Sequence, residues 1–134
     1  MAEAQSRDEV LEKVAVLEDP LKAAILTLLM RRPASIAEVA SELDLPIGRA
    51  RYQLRRLHQA GMVELTEVRP RRGVVERVYR RQPSIVSADE VGLLSVEERG
   101  KAVATVLKLV FREALSALRT GVLAQRVESV VARI

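Results

Sequence analysis

The sequence predicts a mainly α fold with one small β-hairpin (α+β), on three observations. Apolar residues recur at helical spacing through most of the chain. Capping and stop residues bracket several of those stretches. One strand–turn–strand pattern, at 62–80, interrupts them. The 134 residues suffice for one compact domain with a helical appendage.

Asp8 to Leu17 reads as a short helix with Val10, Leu11, Val14 and Leu17 on one face. Asp19-Pro20 supplies an N-cap followed by proline at the first helical position. The helix that follows, Leu21 to Arg32, turns Leu21, Ile25, Leu28 and Leu29 inward and ends before Pro33. Ser35-Ile36-Ala37-Glu38 has the pattern of a capping box. Its helix runs to about Leu43 and buries Ile36, Val39, Ala40 and Leu43. Asp44-Leu45-Pro46 is a tight turn, and a second helix spans Pro46 to Ala60. Ala50, Leu54 and Leu57 at i, i+4 and i+7 form its buried stripe, and Gly61 caps its end.

Met62 to Val68 alternates, with Val63 and Leu65 on one face and Glu64 and Thr66 on the other. Arg69 to Gly73 is a turn by composition, and Val74 to Arg80 is the returning strand. Gln82-Pro83-Ser84 begins a linker. A long helix from about Ser95 to Arg119 carries Val103, Val106, Leu107, Val110, Ala114 and Leu118 as its stripe, widened by Leu109, Phe111 and Leu115. Gly121 interrupts, and 122–134 is a weaker final helix with Val127, Val130 and Val131. No internal repeat is present. The divisions are therefore an N-terminal helical arm at 1–17, a winged helix-turn-helix at 18–83, and a helical region at 84–134 whose stripe has two readings, the favoured one being dimerisation with a symmetry mate and the other being cover for the winged domain within one monomer.

Composition narrows the function. Hydrophobic residues make up 49% and aromatics only 2% (Tyr52, Tyr79, Phe111), so the core is aliphatic. A single-stranded nucleic acid binder would need more aromatic platforms for base stacking. The absence of cysteine excludes disulfides, thiolate metal sites and a cysteine nucleophile. The polar, acidic N-terminus is not a signal peptide. The longest apolar run, Ala23 to Met30, is interrupted by Thr27 and falls short of the about 18 residues that span a membrane. A cytoplasmic protein without membrane contact is expected.

Charge is the strongest signal. The chain is +4 overall, but 49–81 holds ten arginines, no lysine and three glutamates, a net of +7, which leaves the remainder at −3. Arginine suits bidentate contacts to phosphates and guanine edges. In a winged helix-turn-helix the first helix braces the second, which lies in the major groove. With Ala50, Leu54 and Leu57 inward, Gly48, Arg49, Arg51, Tyr52 and Arg55 face out. Gly48 lets the helix start approach the backbone, and Arg49, Arg51 and Tyr52 are candidates for base edges. Arg55, Arg56 and the wing residues Arg69, Arg71 and Arg72 are candidates for phosphates, which position without specifying. A solvated charged face is the bland explanation, but it does not account for helix-turn-helix spacing, charged helix face and basic hairpin tip occurring together.

The stretch from Leu17 to about Arg81, roughly half the chain, resembles ArsR-like winged helix regulators of bacteria. YQLRRLHQAGMVEL and RRGVVERVYR carry the resemblance, the second being similar to the wing of an actinobacterial-type branch. The resemblance implies a homodimeric regulator with flanking helices as the interface. Val10, Leu11, Val14, Val103, Val106, Leu107, Val110, Phe111, Ala114 and Leu118 are the expected dimerisation residues. Metal-sensing members use cysteine pairs or His/Asp/Glu sets. This chain has no cysteine and one histidine, His58, which reads as a helix-end residue near the negative end of the dipole. A non-metal-sensing branch without a cofactor is expected.

The function expected is a DNA-binding transcription regulator that acts as a repressor on double-stranded DNA, with a small-molecule effector left open. A winged-helix protein-interaction module is the alternative. No P-loop, GxGxxG, GxSxG, HExxH or Cys/His pair is present, and Asp89-Glu90 and Glu97-Glu98 read as helix-start charges, so no enzyme is expected.

Overall fold

The structure, a computed structural model, describes residues 2–83 and 86–119, excepting the side chains of 2–5 and 71. The final helix expected at 122–134 lies outside the described residues. The elements run α1 (Ala2–Glu18), α2 (Pro20–Arg31), β1 (Ala34–Ser35), α3 (Ile36–Glu42), α4 (Ile47–Gln59), β2 (Val63–Arg71), β3 (Val74–Arg81), α5 (Ala88–Gly92) and α6 (Val96–Arg119). The strands form one antiparallel sheet in the order β1-β3-β2. This is a winged helix, mainly α with a small β wing.

Side-chain caps start α2, α3, α5 and α6. The Asp19 carboxylate accepts from the N–H groups of Leu21 and Lys22 at 2.9 and 3.4 Å, with Pro20 at the first position of α2. Ser35 and Glu38 close the expected capping box on α3, at 3.1 and 3.4 Å. Ser35 is fully buried in β1 and satisfied there by that bond. The same Ser-x-x-Glu spacing recurs at Ser87/Glu90 on α5 and Ser95/Glu98 on α6. An N-cap of this kind contributes about 1 kcal/mol, so these boxes matter most for short α3 and α5.

The main core joins Ile25, Leu26, Leu28 and Leu29 of α2 to Val39, Ala50, Leu54, Leu57, Met62, Val63, Tyr79 and Leu109. Leu26, absent from the expected inward set of α2, is fully buried, because α2 is covered on a broad face. A satellite cluster joins Val10 and Val14 of α1 to Leu94 and Ala102. Leu109 sits in the main core, so the three expected segments pack on one another.

Three expectations change. Leu65, expected on the buried face of its strand, is 43% exposed. A bulge between Leu65 and Glu67 breaks the alternation, and the hairpin projects beyond the core after Val63. The turn is shorter than the five residues expected: β2 continues through Pro70, tolerated on an edge strand, and only Arg72 and Gly73 turn the chain. The linker after Pro83 contains α5.

The long helix also turns a different face inward. Ala102, Thr105 and Leu109, at i, i+3 and i+7, are its buried residues. Thr105 is satisfied by donating to the Lys101 carbonyl at 2.9 Å. Of the expected stripe, Val106 packs against the main core, whereas Val103, Leu107, Val110, Phe111, Ala114 and Leu118 lie exposed. Both faces are apolar. The small side chains at 102 and 105 let α6 approach the domain through the narrower one.

Candidate nucleic-acid interface

The turn between α3 and α4 is tight because Asp44 takes a left-handed conformation (φ 53°) and the Leu45 N–H reaches the Ala40 carbonyl at 2.8 Å. Asp tolerates that conformation better than most side chains. Pro46 occupies the N-cap of α4 and provides no side-chain bond to the first turn. Gly48 stands in that turn with open space where a Cβ would project. At the other end, Gly61 (φ 74°) lets the chain reverse into β2.

Ala50, Gln53, Leu54 and Leu57 fasten α4 to the core, and this places every other side chain. At about 100° per residue, Gly48, Tyr52, Arg55 and Gln59 point directly away from the core. Arg49 and Arg51 diverge by about 160° around the axis. Both face solvent, as expected, but on opposite flanks of the helix. Arg51 shares a flank with Ile47 and His58, toward the wing, and Arg49 shares the opposite flank with Arg56. Arg49, Arg51, Tyr52, Arg55 and Arg56 are all exposed.

The wing turn has positive φ at both central residues, Arg72 (50°) and Gly73 (78°), as a two-residue type I′ hairpin requires. Gly at the second place is favoured there and Arg at the first is not. The strained position puts Arg72 at the tip. Arg71 is the last residue of β2.

Ion pairing sorts the arginines. Arg69 is engaged by Glu67, with Glu38 3.8 Å away, and its guanidinium pKa is raised chiefly by the bond to Glu67. Arg80 pairs with Glu64, and its hydrogen bond holds the Glu64 carboxyl below the ordinary range. Arg81 pairs with Glu113 of α6. Arg49, Arg51, Arg55, Arg56, Arg72 and Arg77 make no ion pair among the described residues. The net charge of the segment thus overstates its free cations, and Arg69, expected at a phosphate, is held by carboxylates within the chain.

Between the wing-facing flank of α4 and β3 lies a cleft of about 510 Å³. Ile47, Arg51 and Arg55 form one wall and Val75 and Arg77 the other, with Ile36 between. His58 meets Tyr79 edge to face across it, ring centroids 6.2 Å apart. Ile47 and Arg77 were not among the expected site residues. The signal for Ile47 was its place in the first turn of the recognition helix. For Arg77 it was the residue alternation of β3. Among the described residues no three His, Cys, Asp or Glu side chains converge as a metal site would need.

Of the expected interface residues, Val10 and Val14 are enclosed within this chain and unavailable to a partner, while Leu11 is half-buried beside them. They face the junction of α5 and α6, which was expected to be linker.

A family model described as a helix-turn-helix domain matches residues 17–66, from the end of α1 into β2. A search of curated proteins finds no match. The chain thus carries a helix-turn-helix domain followed by a wing, the module class of DNA-binding transcription regulators. Among the described residues no helix is long and apolar enough to cross a membrane.

Proposed function

We propose that the protein is a homodimeric transcription repressor that reads duplex DNA, of the ArsR-like kind but without a metal sensor. α4 enters the major groove and the wing lies alongside on the backbone and minor groove. The observation that carries this is the sorting of the arginines. Among the described residues six guanidiniums without ion pairs occupy α4 and the wing, whereas Arg69, Arg80 and Arg81 are held by carboxylates. A protein-interaction module has no need to keep that surface uncompensated.

The outer face of α6 supports dimerisation. Leu107, Val110, Phe111 and Leu118 are 50 to 67% exposed on one stripe. Symmetric pairing of two such stripes would bury them and set two recognition helices on one face of the duplex.

Fluorescence anisotropy with a labelled duplex at several salt concentrations tests the function. Binding that weakens linearly in log–log coordinates with a slope of several units is expected. Absence of binding at low salt refutes it and leaves the protein-interaction module.

A further inference from the structure

We infer that Ile47 is a base-reading residue that recognises the C5-methyl group of a thymine in the major groove. This rests on the DNA-binding function proposed above and adds an apolar element to it.

Ile47 is the first residue of the recognition helix and is 50% exposed. A lone exposed apolar residue is ordinary on a protein surface. This one is not isolated. It lines the cleft between α4 and the wing, with Val75 and Ile36 among its neighbours there, and arginines 51 and 55 line the same cleft. The local surface is therefore an apolar patch framed by guanidiniums.

The major-groove edges of the bases offer hydrogen-bonding groups and one apolar projection, the thymine methyl. Arginines satisfy the polar edges and the phosphates. A branched aliphatic side chain cannot, and beside a polar edge it would leave that edge unpaired. The methyl is the one group on that surface for which Ile47 is complementary.

Arg51 stands four residues after Ile47, on the same flank. Side chains so related are about 5–6 Å apart at Cβ. Bases in a strand are stacked about 3.4 Å apart. The two side chains thus reach positions one or two steps from each other. A target half-site should place a thymine within two base pairs of the guanine that Arg51 contacts.

The experiment uses the full chain and the duplex it selects from a random pool. That duplex is compared with a copy in which each thymine in turn is replaced by deoxyuridine, which removes only the methyl. Wild type should favour the thymine duplex about fourfold for the methyl it buries. Ile47→Ala should bring that ratio close to one, and Ile47→Val should keep most of it. Circular dichroism verifies that both variants are folded. Equal wild-type affinity for all thymine and deoxyuridine duplexes overturns the inference. So does a ratio that persists in Ile47→Ala, which would trace the methyl effect to DNA shape. Failure to select or bind any duplex refutes the DNA-binding function instead.

Discussion

Arg81 and Glu113 form a partly buried ion pair that joins the last residue of the wing to the C-terminal half of α6. Arg81 also donates to the Leu26 carbonyl of α2 at 3.4 Å. One guanidinium thus ties the wing, the helix-turn-helix and the long helix together. Any force on α6, such as pairing with a second copy, has a direct path to the base of the wing.

Breaking this pair should be costly, because it leaves a partly buried charge without its partner. Glu113→Leu is expected to lower unfolding free energy by about 1.5–3 kcal/mol. Arg81→Met with Glu113→Leu should recover much of the loss. Urea denaturation at fixed protein concentration measures both. A single variant as stable as wild type would show that the pair contributes nothing.

Arg72 should trade stability for affinity. Its left-handed backbone is unfavourable for a residue with a Cβ, and Asn or Gly relieves it by about 1 kcal/mol. Arg72→Asn is therefore expected to raise the melting temperature. The same change removes a phosphate contact, so it should lower affinity for operator and random DNA alike and flatten the salt slope by about one unit per protomer. A variant that is both more stable and equally tight on DNA would remove Arg72 from the interface.

Acid should unfold the protein from the carboxylates outward. Hydrogen bonds from Arg32 to Glu38 and from Lys22 to Asp19 hold those carboxyls below their ordinary values. Burial pushes the Glu90 carboxyl up, but bonds from Lys13 and the Ser87 N–H outweigh it and the net shift is downward. With folded values below unfolded ones, the unfolded chain takes up protons first. The stabilisation is complete above the ordinary carboxylate range of about 4 and is lost as pH falls through the lower folded values. Lys13→Met should make the midpoint of urea unfolding less steep with pH between about 5 and 3. An unchanged profile would mean that Lys13 does not stabilise the Glu90 carboxylate.

Much of this was legible in the sequence because short-range chemistry decided it. The Asp19-Pro20 start, the Ser35/Glu38 box and the Ala50/Leu54/Leu57 stripe depend on residues within a few positions of one another. α5 was equally legible through Ser87-x-x-Glu90, a spacing identical to the one recognised at Ser35. Other features needed the third dimension. Two apolar faces compete on α6, and periodicity favours the wider; only the docking surface decides that Ala102 and Leu109 go inward. The exposure of Leu65 follows from a bulge that the alternation hides. Charge counting could not know that Arg81 would meet Glu113, 32 residues away. The opposite placement of Arg49 and Arg51 was available from helix geometry alone once the buried stripe was set.

The outer stripe of α6 should hold the dimer. Removing α6 outright would be uninformative, since Leu109 belongs to the main core. Leu107→Glu is cleaner, because Leu107 is 61% exposed and belongs to neither core cluster. Light scattering should show a dimer for wild type and a folded monomer for Leu107→Glu. The monomer should lose tight binding to paired half-sites spaced by about 10–10.5 bp or a multiple. Wild type monomeric at micromolar concentration would refute the dimer.

The last expectation separates specifying arginines from positioning ones on α4. Arg51 stands on the wing-facing flank beside Ile47, and Arg56 on the flank beyond Arg49. A side chain on the first can reach a guanine edge, where a good bidentate pair is worth about 1–3 kcal/mol of discrimination. Arg56 is near the end of the helix, in weak contact with Gln59 at 3.5 Å, and suited to a phosphate. Arg51→Ala should therefore weaken operator binding far more than binding to a scrambled duplex. Arg56→Ala and Arg49→Ala should weaken both by one factor and reduce the salt slope. Titration of the three variants on both duplexes at several salt concentrations measures this. If Arg49→Ala is the variant that loses discrimination, the helix lies in the groove on its other flank, and Ile47 and Arg51 face the backbone instead.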